Sequence, residues 1–343
     1  MILMYSWSRK CNTTRPLVLK VLAKIFRTLA LTLARMATND KPTPDLIEYI
    51  PATSTLTTTK PNNPPPTPTH KIKTHIYNPS VSTKPTSVLI TACGSGFITP
   101  GLGLDDPYCH LIATKTSHTV IDVGYRVAPE HPFPAALEDL VSVVNWVLSQ
   151  PERFDKSRIS IGGFSAGANI TTSVAVNYFP PRTFWALVAF YPVLDARMGG
   201  KVGVRVEQGR PEFGGMGSVP GVVMGFMRDC YLLGSISGKE GESGSGSYGD
   251  LLKDPRVSPA FADVDRFPLR CVFISCEYDV LAREAEELAE RIKKGDHGVG
   301  RKVVVHRVKG CGHAFDKQVK VGSERDRIRE EVYGMVVDVL RGF

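Results

Sequence analysis

Short apolar runs recur along the chain from Lys71 onward, and several, such as VLITA, ALVAFY and CVFIS, are apolar without interruption. A continuous apolar run of this length is typical of a strand in a parallel sheet that is covered on both faces. The predicted strands are Lys71–Tyr77, Ser87–Ala92, Thr119–Gly124, Arg158–Ile161, Trp185–Tyr191, Arg270–Ser275 and Lys302–Val308.

Longer segments in which apolar residues repeat at helical spacing lie between these runs. The predicted helices are Ala135–Leu148, Ala166–Asn177, Val219–Leu232, Val280–Lys293 and Ser323–Leu340. Alternation of strands with helices predicts an α/β fold built on a doubly wound, mostly parallel sheet.

Two stretches do not follow this alternation of strands and helices. Residues 41–69 are rich in Pro and Thr and are predicted to form an extended linker. Residues 196–250 have few periodic apolar positions and contain the run SISGKEGESGSGSYGD. We expect them to be an insertion between strands that forms part of a cap, with a mobile tip at Gly234–Gly249.

The N-terminal segment 17–35 reads LVLKVLAKIFRTLALTLAR and predicts an amphipathic helix with a basic face. Charges interrupt it too often for a membrane span, and it lacks the apolar core and cleavage site of a secretory signal. Together with the linker it divides the chain into an N-terminal region, 1–70, and a main region, 71–343, that contains the insertion 196–250.

Three interpretations of residues 17–35 remain open. They form a cap helix, or a mitochondrial or membrane-surface helix, or an extension upstream of a true start at Met36. As a cap helix, the segment is expected to cover the ligand pocket of the main region with an apolar face. That face comprises Leu17, Val18, Val21, Leu22, Ile25 and Leu29.

The formal net charge of +8 lies almost entirely at the N-terminus. Residues 1–41 contain eight basic residues and one acid, which leaves a nearly neutral body. A basic groove for nucleic acid is therefore not expected. The length of 343 residues and the hydrophobic content of 42% suit a globular domain that buries a full core.

The seven cysteines are odd in number, scattered, and contain no C-x-x-C pair. This pattern argues against a disulfide framework and favours reduced thiols in the cytoplasm. The sequence has no P-loop, dinucleotide fingerprint or metal-ligand spacing, so neither an organic cofactor nor a metal is predicted.

The motif Gly163-Phe164-Ser165-Ala166-Gly167 lies between a predicted strand and a predicted helix. This is G-x-S-x-G in the strand-turn-helix context of a nucleophile elbow. Ser165 is the predicted nucleophile. The helix that begins at Ala166 would direct its N-terminal N–H groups at the site, where negative charge develops during acyl transfer.

Four further segments accompany the elbow: CGSGF at 93–97, YRVAPEHPFPAALED at 125–139, YPVLD at 191–195 and DPRVSP at 254–259. In this order they resemble the hormone-sensitive-lipase-like, GDXG-type branch of the α/β hydrolases. That branch includes microbial esterases, plant carboxylesterases and arylacetamide deacetylases. The resemblance begins near Val88 and implies an α/β-hydrolase fold with a helical cap that cleaves a carboxylic ester without a cofactor.

The resemblance also implies the remaining site residues. Asp279, in a D-x-L sequence after a late strand, corresponds to the catalytic acid, with Glu277 as the nearest competitor. His313, in the glycine loop before the last helix, corresponds to the base. The oxyanion hole is expected to consist of the backbone N–H groups of Ser95, Gly96 and Ala166.

The chain departs from the family pattern twice. It has CGSGF where the family has HGGGF, so Cys93 replaces a histidine and the loop is expected to be less rigid. It has GFSAGA where the family has GDSAGG, and we interpret Phe164 and Ala168 as a change in pocket shape.

Two other uses of the fold stay open. One is a ligand receptor, as in the plant gibberellin receptors, although that lineage lost the histidine that His313 represents here. The other is an acyltransferase or lyase in a biosynthetic pathway. The CGSGF loop and the Gly/Ser-rich insertion resemble fungal members of the branch, many of which act in secondary metabolism.

Overall fold

The computed structural model describes residues 15–36, 42–53, 69–81, 84–197, 210–217, 219–235 and 247–342. One sheet of eight strands runs through these ranges. The strands are β1 Leu46–Pro51, β2 Lys71–Tyr77, β3 Thr86–Ala92, β4 His118–Gly124, β5 Phe154–Phe164, β6 Leu187–Phe190, β7 Arg270–Cys276 and β8 Lys302–Val308.

The strand order is β1-β2-β4-β3-β5-β6-β7-β8. The strands β1 and β2 pair antiparallel at one edge, and every pair from β4–β3 to β7–β8 is parallel. The predicted doubly wound, mostly parallel sheet is therefore confirmed.

Helices cover both faces of this sheet. They are α1 Arg15–Met36, α2 Asp106–Lys115, α3 Ala135–Leu148, α4 Ala166–Asn177, α5 Gly221–Tyr231, α6 Tyr248–Leu251, α7 Ala282–Lys294 and α8 Glu324–Arg341. Two apolar cores result, one containing α3, α4 and α7 and the other containing α2 and α8. Val88 of β3 contributes to the first core and its neighbour Leu89 to the second, as expected for a strand buried on both faces.

Two elements differ from the sequence predictions. Part of the predicted linker 41–69 is strand β1, which pairs along its whole length with β2, while residues 54–68 lie outside the described ranges. Helix α2 was not predicted. Its sequence DPYCHLIATK has a low apolar periodicity, although Pro107 in its first turn is a typical helix start.

Helix α1 packs on the body of the protein through a face other than the expected one. Leu19, Leu22 and Ala23 are buried. Of the predicted apolar face, Leu22 is buried and Val18 is half-buried. The remaining four are exposed: Leu17 by 67%, Val21 by 45%, Ile25 by 46% and Leu29 by 60%. The prediction was wrong because the helix has apolar residues around most of its circumference, so periodicity did not identify the docked side.

Arg27 fixes the orientation of α1. Its guanidinium donates to the carbonyl oxygens of Ile98 and Ala128 and forms an ion pair with Glu130, with Nη1 2.9 Å from Oε1. This contact holds the pKa of Glu130 below its ordinary value. Arg27 therefore lies on the side of α1 that contacts the body of the protein.

Helix α5, within the insertion 196–250, packs on α1 and on the loop after β3. Tyr231 of α5 stacks on Phe97, with ring centroids 4.2 Å apart. The predicted mobile tip falls largely on residues 236–246, which lie outside the described ranges. Among the helices that the structure describes, none has the length and apolar character needed to cross a bilayer.

Candidate active site

Ser165 lies in the turn between β5 and α4, with φ 51° and ψ −118°. A side chain rarely adopts this backbone conformation, and the surrounding structure must enforce it. The neighbouring glycines allow that. A Cβ at Gly163 would lie 2.6 Å from the carbonyl oxygen of Ala92, and one at Gly167 would lie 2.2 Å from the same atom. The elbow therefore requires both glycines because β3 passes directly against it.

The three predicted catalytic side chains form one hydrogen-bonded chain. His313 Nε2 lies 3.0 Å from Ser165 Oγ, and His313 Nδ1 lies 2.6 Å from Asp279 Oδ2. The other carboxylate oxygen of Asp279 accepts the Leu281 N–H at 3.1 Å. Asp279 and His313 are buried, so water competes little for these bonds.

The sheet topology explains why these distant residues meet. Ser165 follows β5, Asp279 follows β7 and His313 follows β8. The strands β5, β6, β7 and β8 are parallel neighbours. Their carboxyl ends therefore meet at one edge of the sheet, which is where open α/β sheets bind ligands.

Two contacts hold the histidine loop in place. The ring of Tyr191 lies against that of His313, with centroids 4.7 Å apart. The backbone carbonyl of His313 accepts the N–H of Met216, from the segment 210–217 of the insertion, at 2.7 Å. The segment 210–217 thus contacts the predicted base directly.

Glu277, the competing acid, has a structural role. Its Oε2 accepts the Gly310 N–H at 2.7 Å, which ties the end of β7 to the start of the histidine loop. Asp279 is the carboxylate that contacts His313.

One predicted oxyanion donor, Ala166, directly follows the nucleophile in the chain. Ala166 is the first residue of α4, where backbone N–H groups have no intrahelical acceptor. Within the described ranges, the N–H groups of Ser95 and Gly96 have no acceptor either. These groups are available to a ligand, and their assignment as the oxyanion hole stays a prediction.

Gly94 is a further candidate donor that the sequence prediction did not include. A Cβ at this position would lie 3.5 Å from the Cβ of Ser165, so the backbone of Gly94 passes beside the nucleophile. Its N–H also has no acceptor in the described part of the chain. In the sequence, the glycine at position 94 was the only indication that the backbone could pass this close to the nucleophile.

The loop after β3 has an anchor in place of the family histidine. The hydroxyl of Tyr125 donates to the carbonyl oxygen of Cys93 at 2.7 Å and lies 2.6 Å from Ser95 Oγ. Ser95 Oγ in turn accepts the Phe97 N–H at 2.8 Å. Cys93 itself is buried, which raises the pKa of its thiol. The expectation of a less rigid loop did not account for Tyr125 and Ser95.

Phe164 does not line an open pocket, contrary to our interpretation of the elbow sequence. Its side chain is fully buried in the core that contains α2 and α8. It stacks on Phe190 at 4.6 Å between centroids, and Lys317 Nζ lies 3.5 Å from its ring centroid. Ala168 is also fully buried.

Lys317 joins a buried ionic cluster behind the elbow. It forms ion pairs with Asp316, at 2.7 Å, and with Asp105. Burial disfavours its charge, but the two carboxylates hold the pKa of Lys317 above its ordinary value. Burial also opposes ionisation of Asp316, yet Lys317 and hydrogen bonds from Tyr191 and Tyr333 keep its pKa below the ordinary value. Burial raises the pKa of Asp105, so we regard Asp316 as the principal partner of Lys317.

The chain is similar in sequence to known esterases. A region of the chain is 35% identical over 106 residues to carboxylesterase NlhH of Mycobacterium tuberculosis, and 38% identical over 84 residues to esterase LipI of the same organism. The NlhH match covers 30% of this chain and 33% of NlhH. The chain thus matches about a third of the length of this relative.

The fold is that of a solved esterase from Pyrobaculum calidifontis. The two structures superimpose with a TM-score of 0.69 over 94% of this chain and 92% of the esterase, at 23% sequence identity. A family model described as the alpha/beta hydrolase fold, Abhydrolase_3, matches residues 89–209 and 243–317, more than half of the chain. This chain is therefore a member of the Abhydrolase_3 family of alpha/beta hydrolases.

Proposed function

We propose that this protein is a serine esterase that hydrolyses a carboxylic ester through an acyl-enzyme. The observation that carries the proposal is the continuous chain from Asp279 through His313 to the elbow serine, Ser165. The named relatives are carboxylesterases or esterases, which supports the same reaction class.

In the first half-reaction, His313 Nε2 takes the proton of the Ser165 hydroxyl as Oγ attacks the ester carbonyl. The position of Asp279 on Nδ1 fixes the tautomer that leaves Nε2 free to accept that proton. The carboxylate also stabilises the imidazolium cation that forms. His313 then donates the proton to the departing alkoxide.

Backbone N–H groups hold the negative charge on the tetrahedral intermediate. We propose Ser95, Gly96 and Ala166 for this role, with Gly94 as an additional candidate. A well-aimed donor of this kind contributes about 3 kcal/mol. In the second half-reaction a water molecule, deprotonated by His313, hydrolyses the acyl-enzyme, and no step requires a cofactor.

Two alternatives use the same fold differently. A ligand receptor needs no general base, so the hydrogen bond between His313 and Ser165 favours an enzyme over a receptor. Acyl transfer would use an identical acyl-enzyme with an alcohol in place of water. We propose hydrolysis, in the service of secondary-metabolite biosynthesis as suggested by the fungal resemblance of the CGSGF loop.

The test is hydrolysis of aryl esters of increasing acyl length by wild type and Ser165→Ala, with products analysed in the presence and absence of an added alcohol. We expect wild-type turnover with a preference for one range of acyl lengths and a loss of about 10^4-fold or more in Ser165→Ala. More than a tenth of wild-type activity in a folded Ser165→Ala protein would refute the mechanism. Ester formation exceeding hydrolysis would favour transfer.

We propose a cytoplasmic location, with a mitochondrial one as the alternative. The six cysteines that the structure describes are unpaired and buried, which suits a reducing compartment. Imaging of tagged full chain and of a protein starting at Met36 separates the alternatives, since a mitochondrial targeting segment would bring only the full chain into mitochondria.

We also propose that the outer face of α1 contacts a membrane surface. The exposed residues Leu17, Val21, Ile25 and Leu29 follow one another at intervals of four, which places them in one row along the helix. The exposed residues Lys20 and Lys24 flank this row, and the helix contains no acid. Apolar residues beside lysines are typical of a helix that lies in the interface of an anionic bilayer.

Cosedimentation with phosphatidylserine-containing vesicles tests this contact, with phosphatidylcholine vesicles as the comparison. Wild type should bind the anionic vesicles, and the Val21→Ser/Ile25→Ser double variant should bind them markedly less. Equal binding by the two proteins would exclude this face of α1.

A further inference from the structure

Three side chains of the types that bind metals lie together beside the antiparallel edge of the sheet. His75 in β2 and Asp122 in β4 are register partners on neighbouring strands, so their side chains share one face of the sheet. Asp106, the first residue of α2, reaches the same place. We propose that His75, Asp106 and Asp122 bind one divalent transition-metal ion, for which Zn²⁺ is the best match.

The distances within this cluster suit a single ion. One ligand atom from each residue lies within 4.8 Å of the other two. Bonds from zinc to nitrogen and oxygen are about 2.0–2.2 Å long, so shifts of less than about 1 Å bring all three atoms onto one ion. Three protein ligands leave a fourth position for water.

An unpartnered oxygen points to a missing ligand. Asp122 is fully buried, and its Oδ2 accepts the Gly103 N–H at 3.2 Å. Within the described residues, its Oδ1 has no hydrogen-bond partner, and neither does His75 Nδ1, which lies 3.6 Å from Asp106 Oδ1. A buried carboxylate oxygen without a donor is costly, and a bound cation would supply the missing interaction.

The ion pairs around the cluster are also compatible with a bound cation. The nearby half-buried lysine, Lys317, is already paired with Asp105 and Asp316. Among the described residues, no Lys or Arg forms an ion pair with Asp106 or Asp122. The described Lys and Arg side chains therefore leave the space between Asp106 and Asp122 open to a metal ion.

The surrounding contacts resemble those that orient metal ligands. Tyr77 donates its hydroxyl proton to Asp106 Oδ1, and Gly103 donates its N–H to Asp122. Outer hydrogen bonds of this kind fix ligand orientation. A set that mixes imidazole with carboxylate favours zinc over magnesium or calcium, which prefer oxygen ligands throughout.

The position of the ion predicts a structural effect. Gly103 lies just before α2 and Asp106 begins it, whereas the ligands His75 and Asp122 belong to the sheet. An ion shared between them would fasten the start of α2 to β2 and β4. We therefore expect it to raise stability.

The experiment uses the full chain, stripped with a chelator and titrated with zinc chloride by calorimetry. The variants are His75→Gln and Asp122→Asn. The matched control is His110→Gln, which removes an exposed histidine of α2 outside the cluster. We expect wild type and His110→Gln to bind one equivalent of zinc and to gain thermal stability from it. The affinity of each cluster variant should fall at least tenfold, with little thermal gain.

Two outcomes would overturn the proposal: wild type that binds no stoichiometric zinc, or cluster variants that bind it as tightly as His110→Gln. A tighter site for magnesium than for zinc would overturn the choice of metal. If Asp122→Asn fails to fold, His75→Gln decides the question, since its side chain is partly exposed near the sheet edge. The readouts are independent of esterase activity, so failure of the proposed function would leave this test intact.

Discussion

At the scale of single residues, neighbouring acids with different partners have different roles. Asp279 and Glu277 are two positions apart after β7, yet one contacts His313 and the other binds the Gly310 N–H. A residue at a strand end turns toward the site or toward the next loop according to its place in the turn. The first prediction concerns this difference.

Asp279→Asn should fold normally and reduce kcat by about 10^4-fold, because the amide favours the tautomer of His313 that cannot accept the serine proton. Glu277→Gln should reduce kcat less than about tenfold, since its remaining amide oxygen still accepts the Gly310 N–H. Steady-state kinetics on one aryl ester measure both. The reverse ranking would mean that the wrong carboxylate has been assigned.

Lys317 neutralises buried negative charge behind the elbow. Lys317→Met leaves Asp316 and Asp105 without their shared cation and should lower the free energy of unfolding by about 3 kcal/mol. Lys320→Met, which removes an exposed lysine three residues away, should change it by less than about 0.5 kcal/mol. Urea denaturation measures both values. Equal stabilities in the two variants would show that the ionic cluster contributes little.

Site residues that lie in recognisable local motifs could be predicted from the sequence. Residues that are far apart in the sequence and meet only in the folded protein were missed. Ser165 and His313 lie in glycine-rich turns with a recognisable order, so their positions could be assigned from the chain alone. His75, Asp106 and Asp122 occur at no metal-ligand spacing. Strand pairing brings His75 beside Asp122, and the start of α2 adds Asp106. The role of Phe164 was predicted wrongly because the G-x-S-x-G motif does not indicate whether its second residue lines a pocket or packs into an apolar core.

At the scale of elements, α1 illustrates how docking depends on more than periodicity. Its buried side is determined by Arg27 and by the surface of α5, neither of which is visible in the local pattern. Strand β1 was missed for a related reason, since as an edge strand it has an exposed face and relies on β2 for its hydrogen bonds. Central strands such as β7 were predicted closely because both of their faces are buried.

A protein that begins at Met36 should be less stable than the full chain, with a thermal midpoint lower by about 5 °C or more, because the surface beneath Leu19 and Leu22 becomes exposed. It should also turn over esters more slowly, since Arg27 no longer binds Ile98 beside the loop at 93–97. Scanning calorimetry and kcat/KM on one ester are the measurements.

Two leucines of α1 provide a matched control for this deletion. Leu22 is 1% exposed and Leu29 is 60% exposed. Leu22→Ala should lower the free energy of unfolding by about 2–3 kcal/mol, and Leu29→Ala by less than about 0.5 kcal/mol. Equal effects of the two substitutions, together with a fully stable truncated protein, would contradict the docking of α1.

At the scale of the whole molecule, stability should fall as the pH drops from 6.5 towards 4. Burial lowers the pKa of His118 to about 4, so the unfolded chain binds a proton in this range that the folded protein does not. The shift corresponds to about 3 kcal/mol, present above pH 6.5 and lost as the pH falls. His118→Gln should flatten the profile of unfolding free energy against pH, and an unchanged slope would refute this assignment.

The most direct test of the account is covalent labelling of the nucleophile. The protein is treated with an organophosphonate ester, which reacts much faster with a serine that a neighbouring base has activated than with other side chains. Intact and peptide mass spectrometry then locate the adduct. We predict one adduct per chain on Ser165, loss of activity in proportion to labelling, and no adduct in Ser165→Ala. Full inactivation with the label on another residue, or no label on a folded active protein, would contradict the central claim.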